Sequence, residues 1–459
     1  VFVEDSGVRV RIDAGELLDS RVLTATAQVP HPAPGKVARL RVDARLDSSV
    51  GDGLNILQNS PLPTAETFAG WQGEGAVEAQ LQLDIALAGG QPPRVRVDFT
   101  PRNASLALPT PQLQLSEVHG RFRYDTQAGL SARDLRAKAF GHAVRGAIGS
   151  EGPAGRRIQV DVRGQVPVAT LTTWLGVERP VPASGLLPYR LRLRLDGEDS
   201  QLRVDSSLQG VTIDLPAPFG KSAAQSRYAD WRMSLAGEER YYWLDYAEQA
   251  SLALALPDND PQRLRGELRL GAGRAQLSHE QGLLIQGQLE EFDWAAWRAA
   301  QTRYSAQPSG AGQLPVRHVE LYLHRFTGFG QDVPDLMLRL KRDERAWALT
   351  LDSRRVAGSI QLPDVAELPI RAELKHLRLP AAAAAADRRA GQALGLARAL
   401  RRRTGDLRGL QRLRRDPRRA ARAPHLPHPR QARRADEAGV EGGAELPDHD
   451  RRRADRLDG

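Results

Sequence analysis

Leu187-Pro-Tyr-Arg-Leu-Arg-Leu-Arg-Leu195 is the stretch that decides how the chain is read. Leu187, Tyr189, Leu191, Leu193 and Leu195 alternate with Arg190, Arg192 and Arg194, a period of two that belongs to a strand and not to a helix. One face of such a strand is apolar and the other charged, the pattern of an antiparallel sheet with one wet side. Outward from it the alternation recurs. Ala38, Leu40, Val42, Ala44 and Leu46 are separated by Arg39, Arg41, Asp43 and Arg45, and Val77, Ala79, Leu81, Leu83, Ile85 and Leu87 by Glu78, Gln80, Gln82, Asp84 and Ala86. Counting Val95 to Phe99, Ile158 to Val162, Leu252 to Leu256, Val319 to Leu323, Leu336 to Leu340, Trp347 to Leu351 and their like, the strands number on the order of 25.

Helices are expected only as short pieces: Thr64 to Trp71, Val168 to Leu175, and Asp293 to Ala300, the last with Asp293 as N-cap. A run of apolar-x-Leu-Pro recurs at Leu106 to Pro109, Ile213 to Pro216, Leu254 to Pro257, Ile360 to Pro363 and Leu377 to Pro380. Proline cannot donate to a ladder, so each run reads as the end of a strand.

Composition excludes more than it suggests. Aromatic residues make up 5 %, Met numbers 2 and Cys is absent, which removes disulfides, thiol nucleophiles and Cys metal sites. The net charge of +9 lies wholly after Pro380, where Asp387 to Gly459 carry 20 Arg against 11 acids. The body is neutral, so no basic footprint and no nucleic-acid partner are expected of it. No apolar run is long enough for a bilayer helix. The chain opens Val1-Phe-Val almost directly into strand pattern, without a leader, and reads as a fragment. Two regions are expected: 1–380 as strands, and 381–459 as an Arg- and Ala-rich tail that is disordered, partly helical or the product of a shifted reading frame.

Known chemical motifs fail on inspection. Gly220-Lys221-Ser222 ends like a phosphate loop, but the required first glycine is Leu215, and Pro216 and Pro218 lack amides. His279-Glu280 lacks the second zinc histidine, since position 283 is Leu283. His318, Glu320, Tyr322 and His324 share one strand face, which a wet polar face explains better than a metal site. No nucleophile, metal set or cofactor loop emerges, and the expectation is a protein that is not an enzyme and carries no cofactor.

Residues Leu208-Gln-Gly-Val-Thr-Ile-Asp-Leu-Pro-Ala-Pro-Phe-Gly-Lys221 change the parity of the alternation across Gly210. A parity change needs one extra residue, and a glycine there predicts a bulge. Pairing should stop at Pro216 and Pro218, with Gly220-Lys221 turning outward, Phe219 packing back and Lys221 exposed, so that Lys221→Ala matters little.

Gly210, Leu215, Pro216, Pro218, Phe219, Gly220 and Lys221 of this run resemble the signature segment of the YhdP branch of the AsmA-like proteins. Gly70-Trp71-Gln-Gly73-Glu-Gly75, Phe292-Asp-Trp294-x-x-Trp297 and Trp347-x-Leu-x-Leu351 before Val356-x-Gly358 resemble it in kind and order, over about 1–380. The resemblance implies an inner-membrane anchor, a long periplasmic β-groove, and movement of phospholipid between the inner and outer membranes of a Gram-negative cell. The expected fold is mainly β, one long curled antiparallel sheet whose strands, about 4.8 Å apart, extend on the order of 100 Å. Val77, Ala79, Leu81, Leu83, Ile85, Leu191, Leu193 and Leu195 are expected to line the groove. The rival expectation is a structural or adhesive β scaffold whose apolar faces bury one another.

Overall fold

The structure is a computed structural model, and the residues it describes are 2–378 except 5–6, 18, 60–67, 110–111, 153–156, 178, 258–259, 261–262, 305–314, 344–345 and 366–367. The readings made for 381–459, and the first half of the helix expected at Thr64 to Trp71, lie outside them; its second half is a turn at Phe68 to Gly70 and not a helix. Among the described residues, 24 strands join in one sheet.

The strands follow one another in space as in sequence, with two exceptions. β1 (Phe2–Glu4), β2 (Gly7–Ile12) and β3 (Gly15–Leu17) lead to β4 (Ser20–Pro30), β5 (Arg39–Ser49), β6 (Gln72–Ala86), β7 (Arg94–Leu108) and β8 (Leu113–Asp125). β9 (Gly129–Ala139), β10 (His142–Glu151), β11 (Arg157–Pro167), β12 (Ala183–Leu195), β13 (Gln201–Ser206), β14 (Val211–Ile213), β15 (Ala229–Ser234), β16 (Glu239–Tyr246) and β17 (Ala250–Pro257) continue the meander. It ends with β18 (Arg265–Leu270), β19 (Gly282–Asp293), β20 (Val316–Gly328), β21 (Gln331–Arg342), β22 (Ala346–Asp352), β23 (Val356–Pro363) and β24 (Arg371–Leu377). The exceptions are β2 and β3, which both pair with β4, and β13 and β14, which both pair with β12 while β13 leads on to β15. Neither β1 nor β24 pairs with the other, so the sheet is open and not a barrel.

The expectation of an all-antiparallel sheet needs one correction. β18–β19 and β19–β20 pair in parallel, and the sheet is mixed. Parallel neighbours need long crossovers, and both are present: residues 271–281, and the segment that begins with α3 (Trp294–Tyr304).

Two helices were legible and one was not. α2 (Val168–Trp174) and α3 fall where expected, and Asp293 caps α3 by accepting from the amides of Ala295 (2.8 Å) and Ala296 (3.0 Å). α1 (Val50–Asn59) was missed because Gly51 and Gly53 weaken its helical pattern. Its signal is Ser49-x-x-Asp52: the Asp52 amide donates to Ser49 Oγ at 3.0 Å, and Ser20 Oγ donates to the Asp52 carboxylate at 2.5 Å. The proline rule holds, for β7, β14, β17, β23 and β24 all end within their apolar-x-Leu-Pro runs.

Curvature follows from contacts made by the 208–221 run. The Asp214 amide donates to Pro182 O at 2.9 Å, beside the start of β12, while the Asp214 carboxylate meets Tyr304 and Arg303 at the end of α3. Six sheet steps separate β12 from β19, about 29 Å on a flat sheet. Phe219 from the same loop packs against Leu289, Leu321, Leu323, Val333 and Leu336 of β19–β21. The sheet therefore curls there, with the face carrying Leu321 and Leu323 on the inside.

Candidate functional site: a continuous apolar face

Directly opposed residues on neighbouring strands lie on the same face, so the register decides whether separate apolar strands make one surface. They do. From β5 to β11 the row reads Leu46, Ala79, Phe99, Phe122, Ala132, Ile148 and Val160. It continues through Leu193, Leu202, Met233, Tyr242, Leu254, Gly266 and Leu283 on β12, β13 and β15–β19.

A second row lies two residues away on the same face. It runs from Val162 and Leu191 through Val204, Trp231, Leu244, Leu252, Leu268 and Ile285. Beyond β19 it continues as Val319, Leu340, Leu349, Ile360 and Ala372, reaching β24. No charged residue interrupts either row. Measured strand by strand from β5 to β24, the apolar surface extends roughly 85 Å.

The expected lining residues fall on this surface in two groups. Val77, Ala79, Leu81, Leu83 and Ile85 lie on β6, and Leu191, Leu193 and Leu195 on β12, six strands away. The first row joins the groups through Ala79 and Leu193. Of the residues between them, Phe99, Phe122 and Val160 were visible as strand but not as lining, and Ala132 and Ile148 were not singled out at all, because cross-strand partners are not written in a single sequence.

Along β6 and β12–β17 this face is open where an ordinary core would be closed, whereas Ala132, Leu283 and Leu349 of the rows are buried. Leu81, Leu83, Leu193, Leu202, Met233 and Leu254 are half-buried, and Leu244 is 36 % exposed. On β17 the contrast is direct. Leu252, Leu254 and Leu256 stay half-buried while Ala253 and Ala255, pointing to the other face, are fully buried. Their cover is the 271–281 crossover, held by Ala275 N–H donating to Ser251 Oγ (3.0 Å) and Gln276 N–H donating to the Glu267 carboxylate (2.9 Å).

The opposite face is laced by ion pairs across strands: Arg39 with Asp84, Arg123 with Asp98, Arg190 with Asp161, Arg203 with Asp230, Arg265 with Glu239 and Arg325 with Asp332. Hydrogen bonds from Arg190 hold the Asp161 carboxyl below the ordinary carboxylate range, as Arg265 does for Glu239 and Arg325 for Asp332. The His318, Glu320, Tyr322 and His324 set belongs to this polar side. Glu320 pairs with Arg339 at 3.1 Å and Tyr322 donates to Asp335 at 3.0 Å. Among the described residues no group of three or more His, Cys, Asp or Glu is placed to hold a metal.

The 208–221 run behaves partly as read. From Arg190 back to Gly185 is five residues of β12, while their partners Asp205 and Val211 are six apart. The inserted residue is accommodated by Leu208 and Gly210, both left-handed at φ 51° and 92°. The outward turn is corrected. Past Pro216 and Pro218 the chain turns back, and Ile213 and Lys221 exchange N–H to C=O bonds of 2.9 and 3.0 Å.

Lys221 is also corrected: it is only 5 % exposed. Its ammonium donates to Leu208 O at 2.8 Å and to Val211 O, and burial pushes its pKa below the ordinary lysine value. The Arg227 guanidinium donates to Pro218 O, Phe219 O and Tyr246 Oη, closing the loop from the other side. A Cβ at Gly220 would sit 2.1 Å from Leu215 O, so the turn needs glycine there. The run is a folded clamp at the strand ends of the apolar face.

Comparison with known proteins gives one family. The YhdP protein family matches residues 1–408. The chain belongs to the YhdP family. No curated protein and no solved structure matches it. The match extends past Pro380, where the resemblance had been expected to stop. Among the described residues, no helix of this family member is long and apolar enough to cross a membrane.

Proposed function

We infer that this YhdP-family chain is a conduit for phospholipid, carrying acyl chains along its apolar face while headgroups stay in water, and that it does so without catalysis. The observation that carries this reading is the pair of uninterrupted apolar rows on a face left open along β6 and β12–β17. A two-chain lipid with about 30 CH₂ groups loses about 0.8 kcal/mol for each one exposed to water, some 24 kcal/mol in all. A continuous apolar path removes most of that barrier at every step. Nothing need be activated, because no bond changes.

Within this reading the chain works in the periplasm of a Gram-negative cell, in a protein anchored at the inner membrane and reaching toward the outer one. Its partners are phospholipids and the two membranes, and its loss weakens the envelope. A photo-crosslinking residue at Leu83 or Leu193 should capture phospholipid in cells, and one at Gln82 or Arg192 on the opposite face should not. Equal capture on both faces, or none on either, would sink the proposal. Native mass spectrometry of the purified chain gives an independent readout: a conduit carries phospholipid, whereas a scaffold packed on its own faces carries none.

A further inference from the structure

The polar face pairs most of its charges, and one region leaves its arginines unpaired. Along most of the sheet an arginine finds a carboxylate on the same face even where another arginine stands directly opposite. Arg192 opposes Arg203 and Arg203 opposes Arg232, while they pair with Asp205 and Asp230. Across β8–β11 arginines stand opposite arginines and, among the described residues, none of them has a carboxylate partner. Arg136 is opposite Arg145, Arg145 is opposite Arg163, and Arg121 is opposite Arg133. All five are exposed.

Most neighbouring carboxylates are already engaged. Asp161 receives a two-pronged contact from Arg190, Glu117 binds Lys138 at 2.6 Å, and Asp98 binds Arg123 at 2.6 Å. Asp134, next along β9, makes no ion pair with the five among the described residues. Like charges directly opposed destabilise a sheet, so the cluster does nothing for the fold that holds it. The neutral body had predicted no basic footprint; the register makes one by stacking arginines that are distant in sequence.

We propose that Arg121, Arg133, Arg136, Arg145 and Arg163 form a docking surface for an acidic, carboxylate-rich segment of a partner protein. Guanidinium forks fit carboxylates and phosphates alike, and the surroundings discriminate. Exposed residues beside the cluster on this face include Ala143, Ala147, Gln159, Gln165 and His119, which stands opposite Arg136. Apart from the single His119 imidazole these supply none of the apolar and aromatic anchors with which a protein enters a bilayer interface, and no platform of rings on which successive nucleobases stack. β8–β11 are interior strands with both edges paired, so a partner docks through side chains and not by adding a strand.

The test uses the full chain and a fluorescent poly-glutamate peptide, read by anisotropy at low and moderate salt. Wild-type protein should bind the peptide in a salt-sensitive way, and the R136Q/R145Q/R163Q variant should bind about tenfold or more weakly. Arg203→Gln, which removes a guanidinium paired with Asp230, should leave peptide affinity unchanged. Equal binding by wild type and the triple variant overturns the proposal. So does a triple variant that keeps the peptide but loses binding to vesicles of phosphatidylglycerol and phosphatidylethanolamine, because the surface is then a membrane contact. Thermal melting supplies a second readout. Removing opposed like charges should hold or raise the melting temperature, and a clear fall would mean the arginines serve contacts within the chain.

Discussion

At the scale of single residues, the 208–221 run is where sequence and structure part most sharply. A lysine following Pro-x-Pro-x-Gly reads as a solvated tip, yet Lys221 is enclosed and its ammonium joins two backbone carbonyls on the far side of the turn. Lys221→Ala leaves a buried carbonyl without its donor, at a cost of about 1–3 kcal/mol. Amide exchange at Val211 and Ile213, whose N–H groups bond Leu208 O and Lys221 O, should accelerate by about tenfold or more; unchanged exchange would return Lys221 to the role of a surface charge. Phe219 is 7 % exposed and packs edge-on to Trp297 at 5.7 Å. Phe219→Ala should destabilise the β19–β21 cluster by about 3–5 kcal/mol, seen as increased proteolysis near Asp214 and α3 with the β5–β12 region unaffected.

At the scale of elements, strands were legible and their neighbours' chemistry less so. Period-two alternation needs no partner to be recognised, which is why β6 and β12 could be read directly. α1 was lost because its glycines hide a helix that a Ser49 cap holds in place. The ion pairs between strands set the pH response. Asp161, Glu239 and Asp332 have carboxyl pKa values lowered by Arg190, Arg265 and Arg325. A carboxyl lowered on folding contributes stability above its unfolded value and loses it as pH falls toward its folded value. Stability should therefore stay level from about pH 5 to 8 and decline below about pH 4. Asp161→Asn should flatten part of that decline, measured by urea unfolding at several pH values; an identical acid profile in the variant would contradict the assignment.

At the scale of the whole sheet, continuity matters more than any one side chain. If lipid moves along the rows, a charge placed anywhere on them blocks the same path. Leu83→Glu, Leu193→Glu and Leu252→Glu should each reduce co-purified phospholipid by a similar factor, although they lie on β6, β12 and β17. Glutamate at Gln82 or Arg192, on the opposite face, should leave it unchanged. Loss confined to one of the three apolar positions would point to a local lipid site and not a path.

The sequence by itself determined that the chain is built of one-faced strands, where most of them lie, where prolines end them and which family the pattern resembles, because alternation and punctuation are local properties of the backbone. Only the tertiary structure decided the rest: the two parallel pairings, the inward-folded Lys221, the continuity of the apolar rows and the arginines that meet across β8–β11. Each depends on which residue stands opposite which, and register is fixed by pairing between strands far apart in the chain.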